Sequence, residues 1–157
     1  MGLDLYVRPK AWEDFAHIED ADERDHLYDE VCSDPRSFHA AQWSYGGFHQ
    51  FRVWLADQES LILDQMQGFE GTAFDDPAKL LPGIPWSSVT STLTPLLHHS
   101  DCDGFLTSEE CARISPRLRE IVEAASAEEY HKVRGTRLAD AVDMVAKSNG
   151  ELKLVFG

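Results

Sequence analysis

Gly2-Leu-Asp-Leu-Tyr-Val-Arg8 and Glu151-Leu-Lys-Leu-Val-Phe156 are the two stretches on which the fold turns. In the first, Leu3, Leu5 and Val7 alternate with Asp4, Tyr6 and Arg8, the period-two pattern of a half-buried strand. In the second, Leu152, Leu154 and Phe156 share a face in the same way. The two patterns predict strands that lie side by side in a small sheet holding both segments down. Their order and direction stay open.

Between them the periodicity is helical. Phe15 and Ile18 begin an apolar stripe that breaks near Asp20 to Asp22 and resumes at Leu27, Tyr28 and Val31, which predicts two short helices. Ser44 is placed to cap a helix from Tyr45 to about Ala56, with Phe48, Phe51 and Leu55 on its core face. From Gln67 to Pro85 glycines and prolines are too dense for a long regular element, and an irregular connection is expected. Ser87 or Ser88 then caps a helix ending near His98, kinked at Pro95, and a further helix starts after Thr107, interrupted at Pro116. The last helix begins near Ser126, turns Leu138, Val142 and Val145 inward, and closes at Asn149-Gly150. At 157 residues the chain suits one core. The expected fold class is α+β: a helix-rich single domain, 1–157, with a small sheet formed by the N- and C-terminal strands.

Charge narrows the function classes. Against 28 acidic side chains stand 14 basic ones, a formal net charge of -14, which argues against binding a phosphate backbone. Between Ala11 and Arg36 ten carboxylates (Glu13, Asp14, Glu19, Asp20, Asp22, Glu23, Asp25, Asp29, Glu30 and Asp34) face only Arg24 and Arg36. Such a segment is a solvated helix face, or a surface that meets a basic partner or imitates the charge of DNA. Cys32, Cys102 and Cys111 cannot all pair, and there is no secretory leader pattern or long apolar run. A cytoplasmic protein without membrane attachment is expected.

The most suggestive motif is His99-Ser-Asp-Cys-Asp-Gly-Phe-Leu-Thr-Ser-Glu-Glu110. A calcium ion takes six to eight oxygens, so its loops alternate carboxylates, bend at a glycine and close with a bidentate glutamate. With Gly104 as the sixth loop residue, Asp101, Asp103, the Phe105 carbonyl, Thr107 and Glu110 fall at ligand positions, and Leu106 falls where an apolar residue packs inward. The segment resembles a single EF-hand, a helix-loop-helix at about 87–115. That resemblance implies a weak calcium site, because His99 stands where the pattern has aspartate and no second loop is present. Two other readings compete. Asp-Gly is a turn signal and Thr107-Ser-Glu-Glu110 a capping box, so the motif is also explained without metal. His98, His99, Cys102 and Cys111 offer softer ligands for zinc, at spacings that match no standard zinc module.

The segments MGLDLYV, SYGGFHQFRVWLA and HSDCDG also resemble those of a group of small bacterial and phage proteins that begin Met-Gly-Leu-Asp. The resemblance implies such an origin and brings no activity with it. Within the second segment Tyr45, His49 and Arg52 fall at i, i+4 and i+7, a polar helix face that forms a candidate pocket for an anion or for acid-base chemistry. No nucleophile elbow, phosphate loop or H-E-x-x-H helix accompanies it. The leading expectation is a non-enzymatic binding or regulatory protein with a solitary EF-hand-like loop. The alternatives are an acidic protein that blocks a basic, nucleic-acid-binding partner, and a small enzyme centred on Tyr45, His49 and Arg52.

Overall fold

Alternation at the two ends of the sequence becomes pairing in space. The computed structural model describes residues 2–44, 46–69, 83–100, 103–124 and 126–157, with backbone alone at 13, 14 and 16. Strand β1 (Leu3–Pro9) runs antiparallel to β4 (Leu152–Phe156), placing Leu5 opposite Phe156, Val7 opposite Leu154 and Pro9 opposite Leu152. All these apolar side chains are thereby buried on one face. Among the described residues the sheet has four strands in the order β2-β1-β4-β3, so β1 and β4 occupy its centre.

The two flanking strands went unread in the sequence. β2 (Phe38–Trp43) buries only Ala41 and Trp43, and Ala40 is an extra residue that shifts the register opposite Leu5 and Tyr6. A bulge of this kind interrupts the alternation by which a strand is recognised. β3 is just Phe105–Leu106, pairing with Val155 and Leu154.

The helices cover the sheet from both sides. α1 (Ala21–Ser33) follows a 3-10 segment, Lys10–His17, and together they meet one face, where Trp12, Phe15 and Tyr28 form a ring cluster. Arg8, from the centre of that face, lies over Tyr6 and Trp12. α2 (Gly47–Gln58), α4 (Ser108–Glu123) and α5 (Glu129–Ala146) build the larger core on the opposite face. There Phe48 meets Trp43 and Phe156, with ring centroids 5.2 and 5.8 Å apart. α5 crosses α4 closely because Gly135 has no side chain: a Cβ there would stand 2.6 Å from Val122 Cγ1.

Several helix boundaries differ from expectation. Gly46, at φ 76°, rather than Ser44 is the residue before α2; Ser44 contributes its carbonyl, which accepts from Gly47 N at 2.8 Å. The helix expected from Ser87 to His98 is a 3-10 turn, Trp86–Ser88, an extended stretch, and a four-residue α3 (Thr94–Leu97). Pro95 sits in the first turn of α3, where its missing N–H costs nothing, and so kinks no longer helix. α4 passes through Pro116 without interruption. α5 starts at Glu129, three residues late, and the chain leaves it through left-handed Asn149 and Gly150. Most of the irregular connection expected from Gln67 to Pro85 lies outside the described residues. No described helix is long and apolar enough to cross a membrane.

Candidate functional site

The loop from His99 to Glu110 is stitched into the sheet edge and the start of α4. Gly104 takes φ 93°, a left-handed conformation that favours glycine, and the Asp103 carboxylate accepts from its N–H at 2.8 Å. The Gly104 carbonyl accepts from Phe156 N at 2.9 Å, fixing the turn to β4. At the far end Thr107 caps α4: its hydroxyl accepts from Glu110 N at 3.2 Å, and Glu110 Oε2 reaches back to Thr107 N at 2.8 Å. This capping box is the reciprocal arrangement expected from the spacing.

His99 lies inside this turn. Its ring stacks on Phe156 with centroids 3.9 Å apart, its Nδ1 is 2.8 Å from the Ser100 carbonyl and its Nε2 is 3.2 Å from the Phe105 carbonyl. A neutral imidazole donates to just one of those acceptors at a time. The Phe105 oxygen counted as a calcium ligand therefore faces an imidazole nitrogen, and the closing glutamate is bound into the cap. Asp101 and Cys102 lie outside the described residues. Among the described residues no group of three or more His, Cys, Asp or Glu side chains is arranged to hold a metal ion. Of the softer ligands, Cys111 is fully buried in the core and desolvation pushes its thiol up to about 12, far from the thiolate that zinc requires. His98 is exposed and lies flat on Trp86, with centroids 4.9 Å apart.

The polar face read on α2 separates into two environments. His49 Nε2 stands 3.2 Å from Asp64 Oδ1 near the surface, with its ring stacked on Phe69. Arg52 is only 2% exposed: its guanidinium lies over Phe48 at 4.7 Å and Phe69 at 5.1 Å, and Nη1 donates to the His99 carbonyl. Tyr45 lies outside the described residues. Arg52 is thus packed among aromatic rings and joins α2 to the start of the loop. That link spans 47 positions and has no signal in local spacing. Asp64 was likewise missed as the partner of His49, because no motif relates a helix histidine to an aspartate in a following 3-10 turn.

The acidic segment has its own geometry. Asp20 caps α1, its carboxylate accepting from Glu23 N at 2.9 Å. Of the thirteen residues in α1 only Val31 is buried, and Tyr28 remains 44% exposed. Asp22, Glu23, Asp25, Asp29 and Glu30 form no ion pair among the described residues, whereas Asp34 at the helix end binds Arg36 at 2.9 Å. That guanidinium, through its side-chain hydrogen bonds, holds the Asp34 carboxyl down at about 2. No protein-family model, curated protein or solved structure matches the chain.

Proposed function

We propose that the protein is a non-enzymatic binding protein that meets a basic partner through the outer face of α1. The supporting observation is the unpaired acidic face itself. Asp22, Asp25 and Asp29 recur at i, i+3 and i+7, so like charges are neighbours along one side of a helix that buries a single side chain. Such neighbours destabilise a free helix by roughly 0.2 to 0.5 kcal/mol each, and a basic surface would remove that cost. Tyr28, half-exposed beside them, supplies the aromatic contact that interfaces commonly use. The test is capture from a cell extract by the wild type and by an Asp22→Asn, Asp25→Asn, Asp29→Asn variant. A partner retained at low salt, released as ionic strength rises and lost by the variant supports the reading. Retention indifferent to both salt and substitution overturns it.

A second reading, a weak cation site in the 99–110 loop, draws support from left-handed Gly104 and the Asp103 carboxylate turned onto it. It requires Glu110 to share its carboxylate between the cap and the ion. Calorimetry with Ca²⁺ and Zn²⁺ decides it: heat at millimolar Ca²⁺ that Asp103→Ala abolishes supports the site, and no heat with either ion ends it.

A further inference from the structure

A cleft of about 540 Å³ opens between the segment 89–92 that leads into α3, α3 with the histidines that follow it, and the first turns of α4. Its volume lies within the range of small-molecule sites. Leu106, almost wholly buried, contributes apolar surface. Thr90 and Thr92 line the cleft from the segment that leads into α3, and their hydroxyls have no hydrogen-bond partner among the described residues. Their neighbours are different: Ser91 Oγ accepts from Leu93 N at 3.1 Å and Thr94 Oγ1 donates to the Ser91 carbonyl at 2.8 Å, so those two hydroxyls hold the turn.

Arg113 stands on the α4 side. The other α4 arginines are committed: Arg117 to Glu59 and Glu120, and Arg119 to Asp140, Asp143 and Glu123. Arg113 is exposed and makes no ion pair among the described residues. Arg113 thus brings a guanidinium without an ion pair to the cleft that Thr90 and Thr92 also line. Glu110 also lines the cleft, but its Oε2 is turned to the Thr107 N–H. His98, held against Trp86, is on the same lining.

We propose that this cleft binds a small anion bearing hydroxyl groups, its charged head on Arg113 and its hydroxyls on Thr90 and Thr92. The excess of carboxylates selects for small size. At physiological ionic strength charges are screened over about 8 Å, so a compact anion in the cleft meets Arg113 and, opposing it, the Glu110 carboxylate, whereas a long polyanion would also meet the wider acidic surface. The head group is an oxyanion with two accepting oxygens, which a guanidinium engages through paired N–H donors.

The test is an amide NMR titration of the whole chain with glycerol 3-phosphate, gluconate and, at matched ionic strength, inorganic phosphate and sodium chloride. Saturable shifts confined to residues 89–94, 98–99 and 110–113 are expected with one of the hydroxylated anions. Preference between phosphate and carboxylate heads is read from the first two probes. Arg113→Gln should weaken that binding about 10-fold and Thr92→Val several-fold, with the remaining spectrum unchanged because both side chains are exposed. Inorganic phosphate should bind more weakly than the preferred hydroxylated anion. Absence of saturable shifts, equal binding by Arg113→Gln, or shifts that sodium chloride reproduces would each overturn the proposal.

Discussion

Arg52 shows how much a single side chain holds together here. Its guanidinium is nearly excluded from water, lies over two phenylalanine rings and donates to the carbonyl that opens the 99–110 loop. Removing it leaves that carbonyl without its donor and empties a packed space. Arg52→Met is therefore expected to lower stability by about 2 to 3 kcal/mol in urea denaturation. Arg52→Lys should recover only a fraction of this, since an ammonium lacks the flat surface that stacks on the rings. A loss below about 0.5 kcal/mol would show the contact to be incidental. His131 makes a pH-dependent counterpart. Its ring stacks on Trp54 at 4.9 Å, and its Nδ1 is buried without a hydrogen-bond partner among the described residues. Burial holds its pKa below the ordinary 6.5, with Arg134 adding to the effect and Glu128 opposing it. Because the folded value is the lower one, the unfolded chain takes up this proton first as pH falls. The contribution is complete above about pH 6.5 and lost on acidification through the folded value. Urea midpoints measured between about pH 7.5 and 5 should thus fall more steeply for the wild type than for His131→Phe. Parallel profiles would count against this assignment. At this scale the sequence was readable where a residue acts on near neighbours, as Thr107 and Glu110 do. It was silent where Arg52 meets His99 or His49 meets Asp64, because tertiary packing alone brings those groups together.

The elements follow the same division. α4 was legible at its start because a capping box is a four-residue pattern, and its continuity past Pro116 was not, because α5 packing decides it. Ser115 donates to Asp143, and Arg119 binds both Asp143 and Asp140, tying the two helices on either side of the proline. An interior proline forfeits one hydrogen bond and crowds the preceding turn. Pro116→Ala is expected to raise stability by about 1 to 3 kcal/mol, measured by thermal or urea unfolding. An unchanged or lowered midpoint would mean that the pyrrolidine ring packs well enough to offset its backbone cost. α1 lies at the opposite extreme. With only Val31 buried, its amides should exchange with solvent through local openings of much lower free energy than those of α4 or α5. Hydrogen exchange resolves this directly, and equal protection in all three helices would refute it. β2 and β3 escaped notice for a physical reason as well: an edge strand with a bulge and a two-residue strand carry almost no period-two signal.

For the whole molecule, the decisive information lay in β1 and β4. Their alternation identified both as strands, and that sufficed for the α+β class even though half the sheet was unseen and β4, expected to be half-buried, is buried on both faces. The candidate sites were less legible, since a calcium-like spacing and a helix cap use the same aspartates, glycine and glutamate. The sheet order carries one more consequence. β1 and β4 are antiparallel neighbours, and hydrogen bonds at 2.9 and 3.0 Å join Asp4 to Gly157 beside the start of one strand and the end of the other. Pulled apart from residues 3 and 156, this ladder meets the load at one end and across the strands, so its bonds break in succession like a zip instead of sharing the force. A single-molecule stretching experiment with handles at those positions should find low rupture forces. Handles at residues 9 and 156 would instead load the ladder in shear, and rupture there should demand a markedly greater force; equal forces from the two geometries would contradict this picture.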